Sequence, residues 1–298
     1  MVEVWFLYAL VSVVFFGFTT IVDKMMLEKR LSSFSYFATF APPALLFSIC
    51  VLLSSPTNVF SVPYAFAFLA GLISAGGYFL YVLSIRKEEA SRIAALTSLA
   101  PAFVAVLAAL FVGEIFPPKS YLGIALMILG SILISYKRNN VKQLIPASLI
   151  VILIATNFAY SLDQTLSKIS LNQISFWPFL MMFMFGRFLV AFPGLAIPSV
   201  RSQFSLEVRR LGRKFAFTLA VGSVMWTLAI ISFFYAASLG PITLVSTTAL
   251  ISPLFTLLFA ILITKYLPRI LTEEIARMTI ALKLVAIGLI FIGTYLII

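Results

Sequence analysis

Ten long apolar segments constrain this chain more than any other feature of its sequence. A helix needs about 20 mostly apolar residues to cross the hydrocarbon core of a bilayer. The segments that meet this condition are separated by short connections, and the longest polar connections lie at 198–214 and 265–278. The segments lie at 4–24, 34–54, 63–85, 92–113, 120–136, 146–167, 174–197, 215–238, 241–264 and 279–298. The sequence therefore predicts ten transmembrane helices.

The overall composition agrees with a lipid environment. Hydrophobic residues make up 62% of the chain and charged residues 10%, whereas soluble domains have roughly 45–50% and about 25%. Inside lipid, only helices and closed barrels satisfy their own backbone hydrogen bonds, and the sequence lacks the alternating pattern of barrel strands. We therefore expect an all-α integral membrane protein whose main partner is the lipid bilayer.

The formal net charge of +11 follows from the loops and does not indicate a nucleic-acid partner. When the ten spans are threaded alternately, one side of the membrane receives all but three of the 21 basic residues. Lys119, Lys168 and Arg187 are the exceptions. Because basic loops stay in the cytoplasm, this bias predicts a multi-pass plasma-membrane protein with both termini outside.

Residue types that are absent or rare exclude several kinds of chemistry. The chain has no His and a single Cys, Cys50, in an apolar run. This excludes internal disulfides, His/Cys zinc sites and His-based acid–base catalysis. We therefore expect no cofactor, no metal and no enzymatic activity, with Cys50 as an inert packing residue. The N-terminus lacks the basic region of a signal peptide, so the first span is expected to be retained.

An internal repeat divides the chain into two halves. The segment TSLAPAF at 97–103 is echoed by ALISPLF at 249–255, and an offset of 152 pairs Pro101 with Pro253. After an insertion, Gly130 aligns with Gly293 at an offset of 163. Halves 1–139 and 140–298 each contain five predicted spans, so they must lie oppositely in the membrane, and their corresponding loops carry opposite charge character. The sequence predicts two inverted five-helix repeats.

Two five-span halves, each with a proline-bearing fourth span, resemble the EamA-type transporters of the drug/metabolite transporter superfamily. The motifs that carry the resemblance are Lys24 with its echo Lys168, the pair Pro101 and Pro253, and Gly113-Glu114. The acidic residue that often precedes the proline is replaced by Ala100 and Ser252. The resemblance implies a secondary transporter of amino acids, other metabolites or organic solutes.

Arg187 is the most costly residue to place in the membrane. It lies near the middle of the seventh span, where a charged side chain costs about 2.5–3.5 kcal/mol on insertion scales. Two interpretations remain open. Arg187 binds a substrate carboxylate or phosphate, or it forms a structural salt bridge with Asp163.

A polar stripe follows one face of the sixth span. At about 100° per residue, Asn157, Tyr160, Asp163, Gln164 and Lys168 fall on this face. Such a stripe favours a cavity or partner helices over lipid. Asp163 is a candidate proton-binding site, with interhelical hydrogen bonding as the alternative, and Lys168 fits simple snorkelling equally well. Asp23 and Lys24 are expected to be interfacial charges at the end of the first span.

The third and eighth spans each offer a mixed aromatic and hydroxyl face. Ser74, Tyr78 and Tyr81 lie on one, and Trp226 and Thr227 on the other. Either they line a substrate cavity or they serve helix packing, and membrane-helix hydroxyls often bond only to their own backbone. Pro101 and Pro253 each free a backbone carbonyl, which is expected either to bend a helix during gating or to leave a static kink.

Together these features favour a secondary transporter that moves a small organic metabolite by alternating access, either proton-coupled or exchanging. No Walker-type loop for ATP is found. A non-transporting scaffold or channel is the alternative, and a membrane enzyme, which would have to rely on loop acids such as Glu88 and Glu273, is less favoured. A small-molecule substrate is the expected partner, and both a monomer and a homodimer remain open.

Overall fold

The computed structural model of the chain describes residues 3–29, 31–54, 59–85, 97–135, 146–266 and 277–297. Within these ranges the regular structure is entirely helical. The predicted basic connections at 86–92 and 137–142, and the first residues of the predicted fourth span, lie outside the described residues. The all-α prediction is confirmed for the part of the chain that is described.

The first half begins with α1 (Val4–Lys29), a short α2 (Ser33–Ala38) and α3 (Ala41–Ser54). It continues with α4 (Val62–Ile85), α5 (Ala100–Phe111) and α6 (Pro118–Ser135). The predicted second span is divided between α2 and α3. Helix α3 starts with Ala41-Pro42-Pro43, because proline lacks a backbone N–H and is best tolerated in the first turn of a helix.

The second half contains α7 (Ala147–Leu171), α8 (Phe176–Ala196), α9 (Pro198–Arg210) and α10 (Arg213–Leu239). It ends with α11 (Ile242–Thr248), a 3₁₀ turn (Ala249–Ile251), α12 (Ser252–Tyr266) and α13 (Arg277–Ile297). The segment 198–214 was predicted only as a polar connection, but most of it forms α9. That helix carries no buried residue, which explains why its sequence lacks the apolar signal of a span.

Among the residues that the structure describes, six helical segments are long and apolar enough to cross a membrane. They are Val4–Leu27, Ser33–Ser54, Val62–Ile85, Ala147–Leu171, Phe176–Pro193 and Arg213–Leu239. Shorter apolar helices occupy the positions of the other predicted spans, at Ala100–Phe111, Pro118–Leu133, Ile242–Thr256 and Leu284–Ile297. The chain is therefore a multi-pass helical membrane protein.

The helices pack across the two halves of the sequence. Helix α1 packs on α10 and α12, α4 packs on α7 and α8, and α6 packs on α13. The fully buried aromatic side chains Phe179, Phe183 and Phe234 contact one another where α8 meets α10. Cys50 is exposed on α3, so the expectation that it packs inside the protein is wrong. An apolar side chain on a lipid-facing helix needs no protein partner.

The predicted ninth span is interrupted at its proline. Pro253 is the second residue of α12, and the 3₁₀ turn Ala249–Ile251 separates α12 from α11. Proline at position 253 has no N–H to donate to the Ala249 carbonyl, and the N–H of Ser252 donates to that carbonyl instead. The backbone therefore changes from a 3₁₀ to an α-helical pattern next to Pro253. Pro101 has the corresponding place in α5, which begins at Ala100.

Candidate functional site

Arg187 lies inside the helical bundle, where its side chain is 6% exposed. It projects from α8 toward α4, and its Nη1 donates a hydrogen bond of 2.6 Å to the hydroxyl of Ser74. A guanidinium carries five N–H donors, and within the described residues this is the side-chain hydrogen bond that Arg187 makes. Most of its donor capacity is therefore not used by the protein.

Aromatic rings surround the rest of the Arg187 side chain. Its Cζ lies 4.4 Å from the centre of the Trp226 ring and 5.8 Å from that of Tyr78. The ring of Phe183 is 5.9 Å away. A cation over an aromatic face is stabilised by the ring quadrupole, by about 2 kcal/mol or more where water is excluded. These contacts hold a buried positive charge without neutralising it.

Asp163 and Arg187 are neighbours, but they do not form the salt bridge that the sequence left open as an alternative. Among the described residues, no nitrogen of Arg187 lies within 4.0 Å of the Asp163 carboxylate. The Ser74 hydroxyl accepts from Arg187, and Ser74 also neighbours Asp163. Ser74 on α4 therefore lies close to both ionisable groups, Arg187 on α8 and Asp163 on α7.

A second buried carboxylate was missed by the sequence analysis. Asp23 is 5% exposed and accepts hydrogen bonds from the hydroxyls of Tyr36 and Tyr78, the latter at 3.4 Å. The expectation of an interfacial charge is therefore wrong for Asp23, since α1 continues to Lys29. The available signal was the apolar run Met25-Met26-Leu27, which places Asp23 inside a span rather than at its end.

Tyr78 joins the two carboxylate environments. Its hydroxyl reaches Asp23, while its ring contacts Trp226 at 6.3 Å and stacks on Tyr81 at 6.0 Å between centroids. Phe40, which the sequence did not single out, packs against both Tyr78 and Trp226. The predicted faces of α4 and α10 thus meet in one aromatic cluster around Arg187.

Close backbone contact between α4 and α8 places Ser74 beside Arg187. A Cβ on Gly71 would collide with the Phe183 carbonyl oxygen, and a Cβ on Gly186 would collide with the Phe68 carbonyl oxygen. Gly186 directly precedes Arg187, and Gly71 lies one turn before Ser74. Small residues allow helix backbones to approach in this way. The hydrogen bond between Ser74 and Arg187 depends on this approach.

The remaining predicted cavity residues differ in the groups that they contact. The Asn157 amide donates to the Leu153 carbonyl of its own helix, and the Thr227 hydroxyl donates to the Ser223 carbonyl of its own helix. Tyr160 lies within electrostatic range of Arg187 and Asp163. Among the described residues, the buried Oε1 of Gln164 has no hydrogen-bond partner. Tyr160 belongs to the cluster, whereas Thr227 makes a bond typical of any membrane helix.

Lys168 and Glu114 form a separate polar site. Lys168 Nζ donates to the carbonyls of Ala237 at 2.7 Å and Gly240 at 2.9 Å, at the end of α10. The Glu114 carboxylate accepts from the backbone N–H groups of Ile242 and Thr243, at the start of α11. The Lys168 side chain therefore binds the end of α10 and does not join the other polar residues of its stripe. Both charges satisfy helix ends that would otherwise be unpaired.

The two predicted gating prolines lie at the starts of α5 and α12, whereas Arg187 lies on α8. Helix α5 is tied to α7 close to its proline, where the Ser161 hydroxyl donates to the Ala100 carbonyl at 3.0 Å. An open apolar groove of about 480 Å³ lies between α5 and α6, lined by residues such as Ala105 and Ile128. It does not include the Arg187 cluster.

Within the described residues, no group of three or more metal-binding side chains is found.

The fold and this buried cluster define a multi-pass helical membrane protein with an intramembrane polar site. Residues 3–136 match the EamA-like transporter family. An uncharacterised transporter in the cobO 3′ region of Sinorhizobium sp. is 25% identical over 142 residues, which make up 45% of this chain and 99% of that protein. A crystal structure with 12% identity has a TM-score of 0.75, covers 99% of this chain and 97% of its own, and shows a common fold. The first half of the chain therefore matches the EamA-like transporter family, which confirms the resemblance to EamA-type transporters of the drug/metabolite transporter superfamily.

Proposed function

We propose that this protein is a secondary transporter that moves a small organic metabolite with an anionic group, such as an amino acid or related solute, by alternating access. The observation that carries the proposal is Arg187. It is buried at membrane depth, stacked on Trp226 and bound to the neutral hydroxyl of Ser74 rather than to a carboxylate. A charge kept unneutralised in lipid is typical of a binding site for an ion or substrate.

The surrounding groups fit a solute with both charged and apolar parts. Arg187 would bind the anionic group in a planar, two-point contact, and the rings of Tyr78 and Trp226 would cover apolar substituents. Asp163, which neighbours Ser74 and Arg187, would hold a proton or a substrate amine. Proton coupling through Asp163 and exchange of solutes are both compatible with this arrangement.

The proposed architecture is ten spans arranged as two inverted repeats, 1–139 and 140–298. Helix packing supports it. The first predicted span packs on the eighth (α1 on α10) as the sixth packs on the third (α7 on α4). Likewise, the first packs on the ninth (α1 on α12) as the sixth packs on the fourth (α7 on α5). Each pair becomes the other when the halves are exchanged.

Glycine contacts between α6 and α13 support the same symmetry. A Cβ on Gly130 would lie 2.8 Å from the Ala286 carbonyl, and a Cβ on Gly293 would lie 2.7 Å from the Gly123 carbonyl. The offset of 163, read from the sequence, converts Gly130 into Gly293 and Gly123 into residue 286. The curated relative, whose nearly complete length matches less than half of this chain, also supports a five-span unit.

In this proposal, Pro101 and Pro253 are bending points of the two inverted fourth spans. The 3₁₀ turn before Pro253 and the position of Pro101 in the first turn of α5 support that assignment. The protein would lie in the plasma membrane with both termini outside, as the distribution of basic residues predicts.

A flux assay on the whole protein tests the proposal. Purified protein in proteoliposomes is offered a library of amino acids, other organic anions and uncharged analogues, with and without a pH gradient. We expect saturable uptake of anionic or zwitterionic solutes, which Arg187→Gln reduces at least tenfold and Arg187→Lys restores only in part, because lysine lacks the planar donor pair. Loss of the pH-gradient effect in Asp163→Asn would assign the proton to Asp163.

Lys119→Gln is the matched control, because it removes one exposed positive charge outside the cluster. No saturable flux for any solute, combined with normal folding of all variants, would contradict transport and favour a scaffold or a channel. Saturable flux that persists in both Arg187→Gln and Asp163→Asn would retain transport but reject this site.

A further inference from the structure

None of the residues of helix α9 (Pro198–Arg210) is buried. The helix connects the end of α8 to the start of α10, and both neighbours contain candidate membrane spans. A helix between the adjacent ends of two spans lies at the boundary between membrane and water. Its sequence and contacts therefore indicate an interfacial rather than a membrane-crossing helix.

The side chains of α9 divide by face. At about 100° per residue, Val200 and Phe204 share a side that continues to Leu211, which is buried in the core. Val208, which is 37% exposed, borders that side, whereas Leu206, which is 55% exposed, lies on nearly the opposite side of the helix, between the directions of Arg209 and Arg210. Exposed apolar side chains on an interfacial helix are suited to insertion among lipid acyl chains.

Unpaired positive charge accompanies these apolar side chains. Arg201, Arg209 and Arg210 are exposed, and among the described residues their guanidinium groups have no hydrogen-bond or ion-pair partner. Arg213 and Lys214 follow at the start of α10. Arg209 and Arg210 suit the negative end of the helix dipole, but Arg201 lies near the positive end. A favourable interaction with the helix dipole therefore does not explain the presence of all three arginines.

The acidic residue of α9 does not neutralise these arginines, because it is used to hold the helix in place. Glu207 Oε2 accepts from the backbone N–H of Ser32 at 2.9 Å, and its Oε1 accepts from Gln203 at 3.0 Å. Burial would raise the pKa of Glu207, but the hydrogen bonds from Ser32, Ser35 and Gln203 hold it below its usual value. The carboxylate is ionised at neutral pH and fixes α9 against the N-terminus of α2.

We propose that α9 and the first residues of α10 form a docking surface for anionic phospholipid headgroups. Charge complementarity selects the occupant: five cationic side chains, Arg201, Arg209, Arg210, Arg213 and Lys214, lie at the membrane boundary next to exposed Leu206 and Val208. Guanidinium groups bind phosphate oxygens in pairs. Juxtamembrane cations are attracted to anionic leaflets, and apolar neighbours add insertion into the leaflet.

The test measures lipid binding to the full chain in detergent. Native mass spectrometry follows retention of dioleoylphosphatidylglycerol and dioleoylphosphatidylcholine over a lipid titration. We expect preferential retention of phosphatidylglycerol, and a roughly fivefold loss of apparent affinity for each positive charge removed. Arg209→Gln/Arg210→Gln should therefore lose more than tenfold. The double lysine variant Arg209→Lys/Arg210→Lys should keep most of the binding.

Lys119→Gln is the control, since it removes an exposed cation from the first turn of α6 and should leave lipid retention unchanged. Inorganic phosphate and a short oligonucleotide are offered at matched charge concentration and should compete weakly. Equal retention of the two lipids, or unchanged retention in the double glutamine variant, would overturn the proposal. Stronger binding of the oligonucleotide would overturn it in favour of a nucleic-acid surface. The lysine variant distinguishes loss of charge from loss of folding.

Discussion

Ser74 holds an unusual position among the residues of this protein, because it lies beside two buried ionisable groups, Arg187 and Asp163. Its hydroxyl accepts a hydrogen bond from Arg187, and the Asp163 carboxylate does not pair with the guanidinium directly. The cost of burying an arginine is reduced further by Trp226.

Substitution of Ser74 by alanine tests this role. We expect Ser74→Ala to lower the free energy of unfolding by about 1–3 kcal/mol, because a buried guanidinium loses its hydrogen bond. Thermal and denaturant unfolding in detergent would measure the loss. Ser84→Ala is the control on the same helix, since the buried Ser84 hydroxyl donates only to the Leu80 carbonyl of α4. Equal destabilisation by the two variants would contradict a stabilising role for the hydrogen bond between Arg187 and Ser74.

At the scale of helices, the contact between α4 and α8 determines whether the site exists. The two glycines in this contact leave each helix backbone against a carbonyl of the other, and no side chain larger than hydrogen fits there. The connection between α10 and α11 is held in a different way, by charges on Lys168 and Glu114. Packing therefore positions the candidate binding site, and electrostatic capping fixes the neighbouring helix ends.

Gly71→Ala is expected to lower the free energy of unfolding by about 1–3 kcal/mol, because overpacking forces the helices apart. In the flux assay it should also reduce activity, since Ser74 would move away from Arg187. Gly76→Ala is a matched control on the same helix, where a Cβ would meet no atom within 4 Å. A Gly71→Ala protein as stable and active as Gly76→Ala would refute the assigned contact.

At the scale of the whole molecule, helix contacts occur in corresponding pairs. When each predicted span is replaced by its counterpart in the other half, one contact of a pair becomes the other. The pairs α1–α10 and α7–α4 correspond, as do the glycine contacts at Gly130 and Gly293. Two halves of opposite orientation can surround one site and open it alternately to either side. The distribution of basic loops also predicts how the protein is oriented in the membrane, with the basic loops in the cytoplasm.

Labelling of introduced cysteines in intact cells tests that orientation. In a Cys50→Ser background, which removes the exposed native thiol, we expect Ser202→Cys on α9 to react with an impermeant maleimide only after permeabilisation. Ile115→Cys, in the connection between α5 and α6 where the side chain is 80% exposed, should react from outside. The reverse pattern would invert the topology and place both termini in the cytoplasm.

The sequence by itself determined the helical membrane class and the polar faces that approach each other. Runs of about 20 apolar residues have no other stable arrangement in lipid, and a polar stripe such as that of Asp163 must turn inward. The positions of Arg187, Ser74, Tyr78 and Trp226 on such faces were predictable for that reason. The boundaries of α1 and the helical state of 198–210 were less so, because burial and capping extend helices beyond their apolar signal.

Only the tertiary structure decided which polar groups meet. Whether Arg187 pairs with Asp163 or with Ser74 depends on a helix approach of a few ångströms, set by Gly71 and Gly186. Asp23 entered the site because α1 packs with the tyrosines of α2 and α4, a contact between segments far apart in sequence. Local periodicity predicts the face on which a residue lies, whereas packing between helices selects its partner.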